Sequence, residues 1–129
     1  MNIRPALESD RERIHEILLS TGRFTDEEVQ CAMELVDEWL AHPEKGEYIV
    51  SVVEGTPPSL ITGYVCYGPT PLTQGVYDLY WIAVDPRHQG HGYGQVLLRW
   101  VENEVIRREG RMLLIETSSK DSYGPTLRF

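Results

Sequence analysis

The chain has 129 residues, 41% of them hydrophobic and 25% charged, which predicts one globular domain over residues 1–129. Its formal net charge of −8 argues against general nucleic-acid binding, because such binding depends on neutralising phosphates with basic side chains. No apolar run is long enough to cross a membrane and the first residues lack the apolar core of a signal peptide, so we expect a cytoplasmic protein without membrane contact.

The amino-terminal part is predicted to begin with a strand over residues 1–6, followed by two helices. Ser9 and Glu12 have the spacing of a capping box, which marks the start of the first helix. Thr25 and Glu28 repeat this pattern at the start of the second helix, where apolar residues then recur at helical spacing.

The rest of the chain has a strand-like pattern interrupted by one long helix. β-Branched and aromatic residues predict strands over 48–53, 60–67, 76–84 and 112–115, and an amphipathic stretch predicts a helix over roughly 92–109. Gly110 is expected at the left-handed position after that helix. The first two of these strands are predicted to form a hairpin, whereas the last strand–helix–strand unit favours a parallel pair. The predicted fold class is therefore α/β, with a mixed α+β sheet that carries helices on both faces.

Cysteine and histidine usage excludes two further classes of protein. Cys31 and Cys66 are too few for a disulfide framework, and neither they nor the four histidines have the spacing of a metal site. We therefore expect no metal, and we predict both cysteines to be small apolar residues of the core.

The segment from Val84 to Gln95 joins an apolar strand to the long helix through glycines at alternate positions. Such a loop presents several unpaired backbone N–H groups at the helix N-terminus, where the helix dipole adds positive potential. Phosphate or pyrophosphate is the ligand that this arrangement favours. A tight turn without a ligand is the alternative interpretation, because glycine is also the usual residue at unusual backbone angles.

The spacing of the glycines excludes two common nucleotide-binding loops. Gly94 follows Gly90 and Gly92 one position too early for a dinucleotide fingerprint, and the Gly-Lys-Ser/Thr of a P-loop is not present. What remains is the pattern of Gln89, Gly92 and Gly94, preceded by residues 82–86.

This pattern resembles the acyl-CoA loop of the GNAT N-acetyltransferase superfamily. The element order from residue 1 to residue 116 is also similar to the order in that fold, from its first strand to its fifth. The resemblance implies a GNAT-like acyl-CoA N-acyltransferase fold, with acetyl-CoA as the co-substrate.

The resemblance also implies where acetyl-CoA is bound. The backbone N–H groups of the loop would hold the pyrophosphate, and the exposed main chain of the preceding strand would pair with the amides of the pantetheine arm. The implied cofactor-binding residues are Ile82, Ala83 and Val84 in the strand and Gln89, Gly90, His91, Gly92, Tyr93, Gly94 and Gln95 in the loop.

Asp78 lies where histone-type relatives carry a glutamate base, and it is the implied catalytic residue. Its side chain is one methylene shorter than glutamate, which is consistent with proton transfer through a water. The alternative role is that of a strand aspartate which binds a loop or a substrate cation. Tyr80 shares its strand face with Asp78, so it is expected either to line the substrate slot or to pack in the core. Glu116 is a second candidate base.

The carboxy-terminal segment departs from the family pattern. The family fold continues past its fifth strand with a helix and two more strands, and its thiolate-protonating tyrosine usually lies on that helix. Residues 117–129 are expected to approach this helix, with Pro125 at the start of a helical segment. By comparison with the family, the domain is therefore expected to be incomplete at its carboxy terminus, lacking that helix and the last two strands, and no general acid is assigned. The edge of the fifth strand would then be open, and a homodimer could complete the sheet there.

The activity implied by the resemblance is transfer of an acetyl group from acetyl-CoA to a primary amine of a small molecule or protein, by direct attack of the amine. A non-catalytic acyl-CoA-binding or regulatory module is the alternative function. A structural or interaction domain that only retains the fold is a third possibility.

Overall fold

The computed structural model describes residues 2–55, 60–115 and 126–128. The helices are α1 (Arg11–Ser20), α2 (Asp26–Ala41) and α3 (Tyr93–Arg107), and short 3-10 turns span Glu8–Asp10, Pro43–Lys45 and Pro86–His88. The strands are β1 (Asn2–Pro5), β2 (Ile49–Glu54), β3 (Ile61–Pro69), β4 (Val76–Val84), β5 (Met112–Ile115) and β6 (Thr126–Arg128).

All six strands form one mixed sheet whose spatial order follows the chain, from β1 to β6. Every neighbouring pair is antiparallel except β4 and β5, which are parallel and joined through α3. This confirms the predicted mixed sheet, the hairpin of β2 and β3, and the parallel pair. The predicted bounds of β4 are also confirmed at both ends.

The helices cover opposite faces of the sheet and so create two cores. α1 and α2 cover one core, which includes Ile14, Val36 and Tyr64, all with no exposed surface. α3 covers the other core with Leu97 and Val101, which are also completely buried. No helix in the described ranges is both long and apolar enough to span a bilayer.

Strands β4 and β5 separate after a short paired region. Their pairing runs from Val76 opposite Met112 to Leu79 opposite Ile115 and does not continue within the described residues. From Tyr80 onward, the edge of β4 that faces β5 has no described strand beside it. We call this opening the fork.

A β-bulge lies in β4 at the point where the fork begins. Cys66 of β3 pairs with Trp81, but the next residue, Tyr67, pairs with Leu79, so Tyr80 is the extra residue. Leu79 packs in the α3 core, whereas Tyr80 and Trp81 both pack against the α1–α2 core. The bulge thus places two consecutive side chains on one face of the sheet.

One of the two predicted helix caps is confirmed and the other is wrong. Thr25 Oγ1 accepts the Glu28 N–H at 3.1 Å and Glu28 Oε1 accepts the Thr25 N–H at 2.9 Å, as expected for a capping box. Ser9 instead lies within the 3-10 turn that precedes α1. Asp10 carries out the local capping there, because its carboxylate accepts the Leu7 N–H at 2.8 Å.

The end of α3 differs from the prediction by one residue. Glu109 has the left-handed backbone conformation, with φ of 62°, and Gly110 follows it. The Gly110 N–H donates to the Val105 carbonyl at 2.7 Å and the Glu109 N–H donates to the Ile106 carbonyl at 2.9 Å, which is the Schellman pattern. Glycine is required at position 110 for a steric reason and not for its backbone conformation, because a Cβ there would overlap the Val105 side chain.

The carboxy-terminal expectation is corrected in two respects. The segment expected to enter a helix contains β6, which pairs antiparallel with β5 from Met112 opposite Arg128 to Leu114 opposite Thr126. The edge of β5 is therefore covered by this chain, and the reason for proposing a homodimer at that edge no longer applies.

The prediction for the two cysteines is confirmed for one of them only. Cys66 is buried as predicted, but Cys31 is exposed, so its assignment to the core was wrong.

Candidate active site

The glycine loop has an open concave side. Gly90 and Gly92 have φ angles of 86° and 81°, in the region that disfavours any side chain, and a Cβ built at either position would meet no atom within 4 Å. Gly94 lies in the first turn of α3, and a Cβ there would be 3.9 Å from the nearest Val84 methyl group. The loop therefore leaves room for a ligand to approach its main chain.

The first N–H groups of α3 point towards this loop without internal acceptors. Gly92 is the N-cap residue and no side chain caps the helix. The Val96 N–H makes the first backbone bond, to the Gly92 carbonyl at 3.0 Å. In the part of the chain that the structure describes, the N–H groups of Tyr93, Gly94 and Gln95 have no hydrogen-bond acceptor. Such groups at the positive end of a helix dipole suit an anionic oxygen.

The Tyr93 side chain joins the loop to the α3 core, against which it packs. Its ring also lies near His88 and His91 of the loop, with ring centroids 6.3 and 6.5 Å away. Its hydroxyl points away from the loop towards the turn after β2, because a Cβ at Gly55 would be only 2.9 Å from it. Gln89, predicted to contact the cofactor, donates weakly from Nε2 to the Val84 carbonyl at 3.4 Å.

The three predicted strand positions differ in the side of β4 to which their backbone N–H and C=O groups point. The Ala83 carbonyl faces β3, since it lies 3.0 Å from the position of a Cβ on Gly63. Backbone groups of successive strand residues point to opposite sides, so Ile82 and Val84 direct theirs into the fork. Of the three, these two direct main-chain groups to the side where an extended ligand could pair, although the Val84 carbonyl already accepts the weak bond from Gln89.

The loop is fixed to the body of the protein through Asp85, to which the sequence pattern gave no role beyond membership of residues 82–86. The Asp85 side chain is 1% exposed and accepts bonds from Arg13 at 2.6 Å and Arg87 at 3.0 Å. Its own N–H donates to the Thr62 carbonyl at 2.8 Å. Burial by itself would raise the pKa of Asp85, but the hydrogen bonds from Arg87 and Arg13 outweigh burial and hold the pKa well below its usual range.

Asp78 is half-buried on the sheet face that α1 and α2 cover. Its Oδ2 accepts a hydrogen bond from the Thr70 hydroxyl at 2.8 Å, which orients the carboxylate. Tyr80 lies on the same face, and burial raises the pKa of Tyr80 to about 12, with a further contribution from the negative charge of Asp78. The two residues are therefore neighbours, as the strand pattern predicted. The second candidate base, Glu116, lies outside the described residues.

Four aromatic side chains from separate parts of the chain form a group that was not predicted from the sequence. Phe24, from the connection between α1 and α2, packs edge-to-face on Trp81 with ring centroids 5.4 Å apart. Tyr48, which precedes β2, packs in the same way on Tyr80, also at 5.4 Å. All four are half-buried and pack against the α1–α2 core. We call them the aromatic platform. Little in the sequence indicates this group, because Tyr80 and Trp81 lie in a stretch from Leu79 to Val84 that is apolar or aromatic throughout and shows no alternation.

Comparison with known proteins shows the family to which the chain belongs. The sequence model described as "Acetyltransferase (GNAT) family" matches residues 11–123. A crystal structure of a protein assigned to the GNAT family, from Desulfovibrio desulfuricans, is 43% identical and has a TM-score of 0.80; the match covers 90% of this chain and 72% of that chain.

More distant structures share the fold. A GNAT family acetyltransferase from Brucella melitensis in complex with acetyl-CoA has a TM-score of 0.71 at 19% identity, covering 98% of this chain and 90% of that chain. The PaiA N-acetyltransferase from Thermoplasma acidophilum in complex with coenzyme A has a TM-score of 0.71 at 13% identity, covering 90% and 78%. Comparison with curated protein sequences found no match.

Proposed function

Because the chain belongs to the acetyltransferase (GNAT) family, we propose that it is an acetyl-CoA-dependent N-acetyltransferase acting on a primary amine of a small molecule or protein. One observation carries the proposal: the N–H groups of residues 93–95 lack acceptors among the described residues, and they lie where β4 leads out of the fork. Main-chain donors for a pyrophosphate and an unpaired strand edge for an amide-containing arm thus occur together.

The binding mode follows from these two features. The pyrophosphate lies over Gly90 and Gly92 and accepts bonds from the first turn of α3, where a side chain at either glycine would intrude. The pantetheine arm runs along the fork and pairs with the outward main-chain groups of Ile82 and Val84, as an added strand would. The Arg13–Asp85 pair keeps the loop at a fixed position relative to β3 and α1.

We assign the role of base to Asp78, which lies two residues before the fork begins. Acetyl-CoA supplies an electrophilic thioester carbonyl, which a neutral amine nitrogen attacks; the new C–N bond forms, the C–S bond breaks and CoA leaves as a thiolate that takes up a proton. Asp78 accepts the proton released by the amine, directly or through one water. The hydrogen bond from Thr70 fixes the carboxylate that receives it.

Two measurements test the proposal in sequence. Titration calorimetry with CoA should give a saturable signal, and Gly92→Val should weaken CoA binding at least about tenfold by placing a branched side chain at the loop. Gly46→Val is the matched control, because Gly46 also has a positive φ of 66° and open surroundings but lies outside the loop. Equal losses in the two variants would contradict the binding mode.

Turnover is then measured as thiol release from acetyl-CoA with a panel of primary amines. Amine-dependent release supports the transferase. CoA binding without release for any amine would overturn catalysis and favour the acyl-CoA-binding module instead. Undetectable CoA binding would contradict both functions.

A further inference from the structure

We propose that the aromatic platform selects an acceptor that carries a second positive charge, such as an aliphatic diamine, and binds that charge while the other nitrogen is acetylated. This inference rests on the proposed transferase function. The juxtaposition that carries it is the bulged pair Tyr80-Trp81 with Phe24 and Tyr48 on the same sheet face as Asp78.

The bulge explains how the platform is built. A regular strand would direct Tyr80 and Trp81 to opposite faces, but the extra residue directs both to the α1–α2 side. Each then receives one ring from another element, Phe24 on Trp81 and Tyr48 on Tyr80. Four rings from three separate parts of the chain therefore converge in one place.

The exposure of the rings distinguishes the platform from the core beneath it. Tyr64 and Cys66, on the same face of β3, have no exposed surface, whereas all four platform residues remain partly exposed. In an edge-to-face pair one ring presents its edge to the other, so the pair by itself does not cover both faces of either ring. A cation placed over an uncovered ring face is attracted by the ring quadrupole.

Charge on this face favours a cation further. The carboxylate of Asp78 lies beside Tyr80 and is close enough to raise its pKa. The whole chain carries a formal net charge of −8, which attracts cationic ligands in general. A neutral or anionic acceptor gains nothing from either feature.

The chemistry requires that the bound cation is not the reacting group. The nitrogen that attacks the thioester must be neutral, since an ammonium ion has no free electron pair. A cation held by the platform must therefore be a second group on the acceptor. An acceptor with two amines separated by a short methylene chain meets both requirements, and its methylenes can pack against the rings.

Binding is tested first with a cation that cannot be acetylated. Choline and its neutral isostere 3,3-dimethyl-1-butanol are titrated into the protein by calorimetry. We expect choline to bind about tenfold more tightly, within the range of cation–π contacts that are partly desolvated. Equal affinities, or no binding of choline, would overturn the inference. This measurement needs no acetyl transfer, so its outcome is independent of whether the protein is a transferase.

Variants then locate the site. Trp81→Leu and Phe24→Leu should each abolish the preference for choline, whereas Trp100→Leu, which alters a half-buried tryptophan of the α3 core, should retain it. Using Phe24→Leu alongside Trp81→Leu keeps the test valid if one variant does not fold. A preference that persists in both platform variants would contradict the assignment.

Turnover provides the second, separable readout. In the wild-type protein, kcat/KM for 1,4-diaminobutane should exceed that for butylamine at least about tenfold. In Trp81→Leu, the two kcat/KM values should become nearly equal. Equal kcat/KM for the two amines would overturn the inference while leaving the transferase intact. Absence of turnover with every amine would overturn the proposed function, and the choline titration would still decide whether the platform binds cations.

Discussion

Arg13 of α1 donates a hydrogen bond from Nη2 to Asp85 Oδ2 at 2.6 Å, across 72 positions of sequence. Arg13 also donates from Nε to the Ile61 carbonyl at 2.9 Å, so one guanidinium joins α1, the start of β3 and the turn that precedes the glycine loop. The pair is largely removed from solvent, with side-chain exposures of 16% for Arg13 and 1% for Asp85.

Replacing Asp85 by Asn should therefore be strongly destabilising. The change removes the buried acceptor charge and leaves the Arg13 guanidinium with only the exposed carboxylate of Glu16 as its counter-charge, and breaking a buried pair in this way costs about 3 kcal/mol. Urea denaturation of wild type and Asp85→Asn measures the difference in the free energy of unfolding. Arg87→Gln is the matched control, and its effect should be much smaller because the Arg87 side chain is 72% exposed. Equal losses in the two variants would contradict the role given to burial.

The same carboxylate should contribute to acid denaturation. Because the pKa of Asp85 is lower in the folded protein than the ordinary value of about 3.9, its contribution is complete above that value and is lost as the pH falls towards the folded pKa. The free energy of unfolding should therefore decline less steeply with falling pH in Asp85→Asn than in wild type, by up to about 1.4 kcal/mol per pH unit below pH 4. Parallel profiles of stability against pH would show that Asp85 keeps an unperturbed pKa.

Gly92 and Gly94 should respond differently to alanine. Gly92 has a positive φ, so Gly92→Ala should lower the free energy of unfolding by about 1 kcal/mol through backbone strain, although its surroundings are open. Gly94 is helical and its Cβ would meet only a methyl group at 3.9 Å, so Gly94→Ala should be neutral or slightly stabilising. Thermal denaturation of the two variants in parallel checks this ordering, and the reverse ordering would contradict the loop conformation.

Glu109→Gly should stabilise the protein by about 1 kcal/mol. Glu109 occupies the left-handed position after α3 that glycine adopts without steric cost, and its side chain is exposed. Glu109→Ala serves as the control, because alanine keeps the same backbone penalty and removes only the charge. Chemical denaturation of the three proteins separates the two effects; equal stabilisation by Ala and Gly would point to the charge instead.

Asp78→Asn should reduce kcat by about a hundredfold or more while CoA affinity stays close to that of wild type, as expected for loss of a general base. Thr70→Val is the control variant. It removes the hydrogen bond to Asp78 but retains the carboxylate, so a smaller decrease is expected. Steady-state thiol release gives kcat and calorimetry gives CoA affinity. Unchanged kcat in Asp78→Asn would exclude this residue as the base.

The local sequence pattern was sufficient to predict those elements whose formation depends mainly on their own residues. The bounds of β4 were predicted correctly, because a run of apolar and aromatic residues, interrupted only by Asp78, begins directly after Gly75 and ends directly before Asp85-Pro86. The capping box at Thr25 and Glu28 was predicted for the same reason.

Features that depend on distant partners could not be predicted in this way. The bulge at Tyr80 exists only relative to the register of β3, and the sequence of β4 does not contain that register. The Arg13–Asp85 pair depends on how α1 packs on the sheet. The left-handed residue after α3 was predicted at Gly110, because glycine is common at that position, but it is Glu109. Glycine is needed at position 110 because the Val105 side chain leaves no room there for a Cβ.

The bulge in β4 has a consequence for how this strand can vary. Removing Tyr80 alone would restore a regular ladder, and every other side chain of β4 would keep the face that it has now: Leu79 towards α3, Trp81 towards α1 and α2. The strand can thus gain or lose one aromatic group beside Asp78 while its other side chains stay on the same faces. A one-residue insertion at this position alters the aromatic surface and leaves the pairing of the strands on either side of it unchanged.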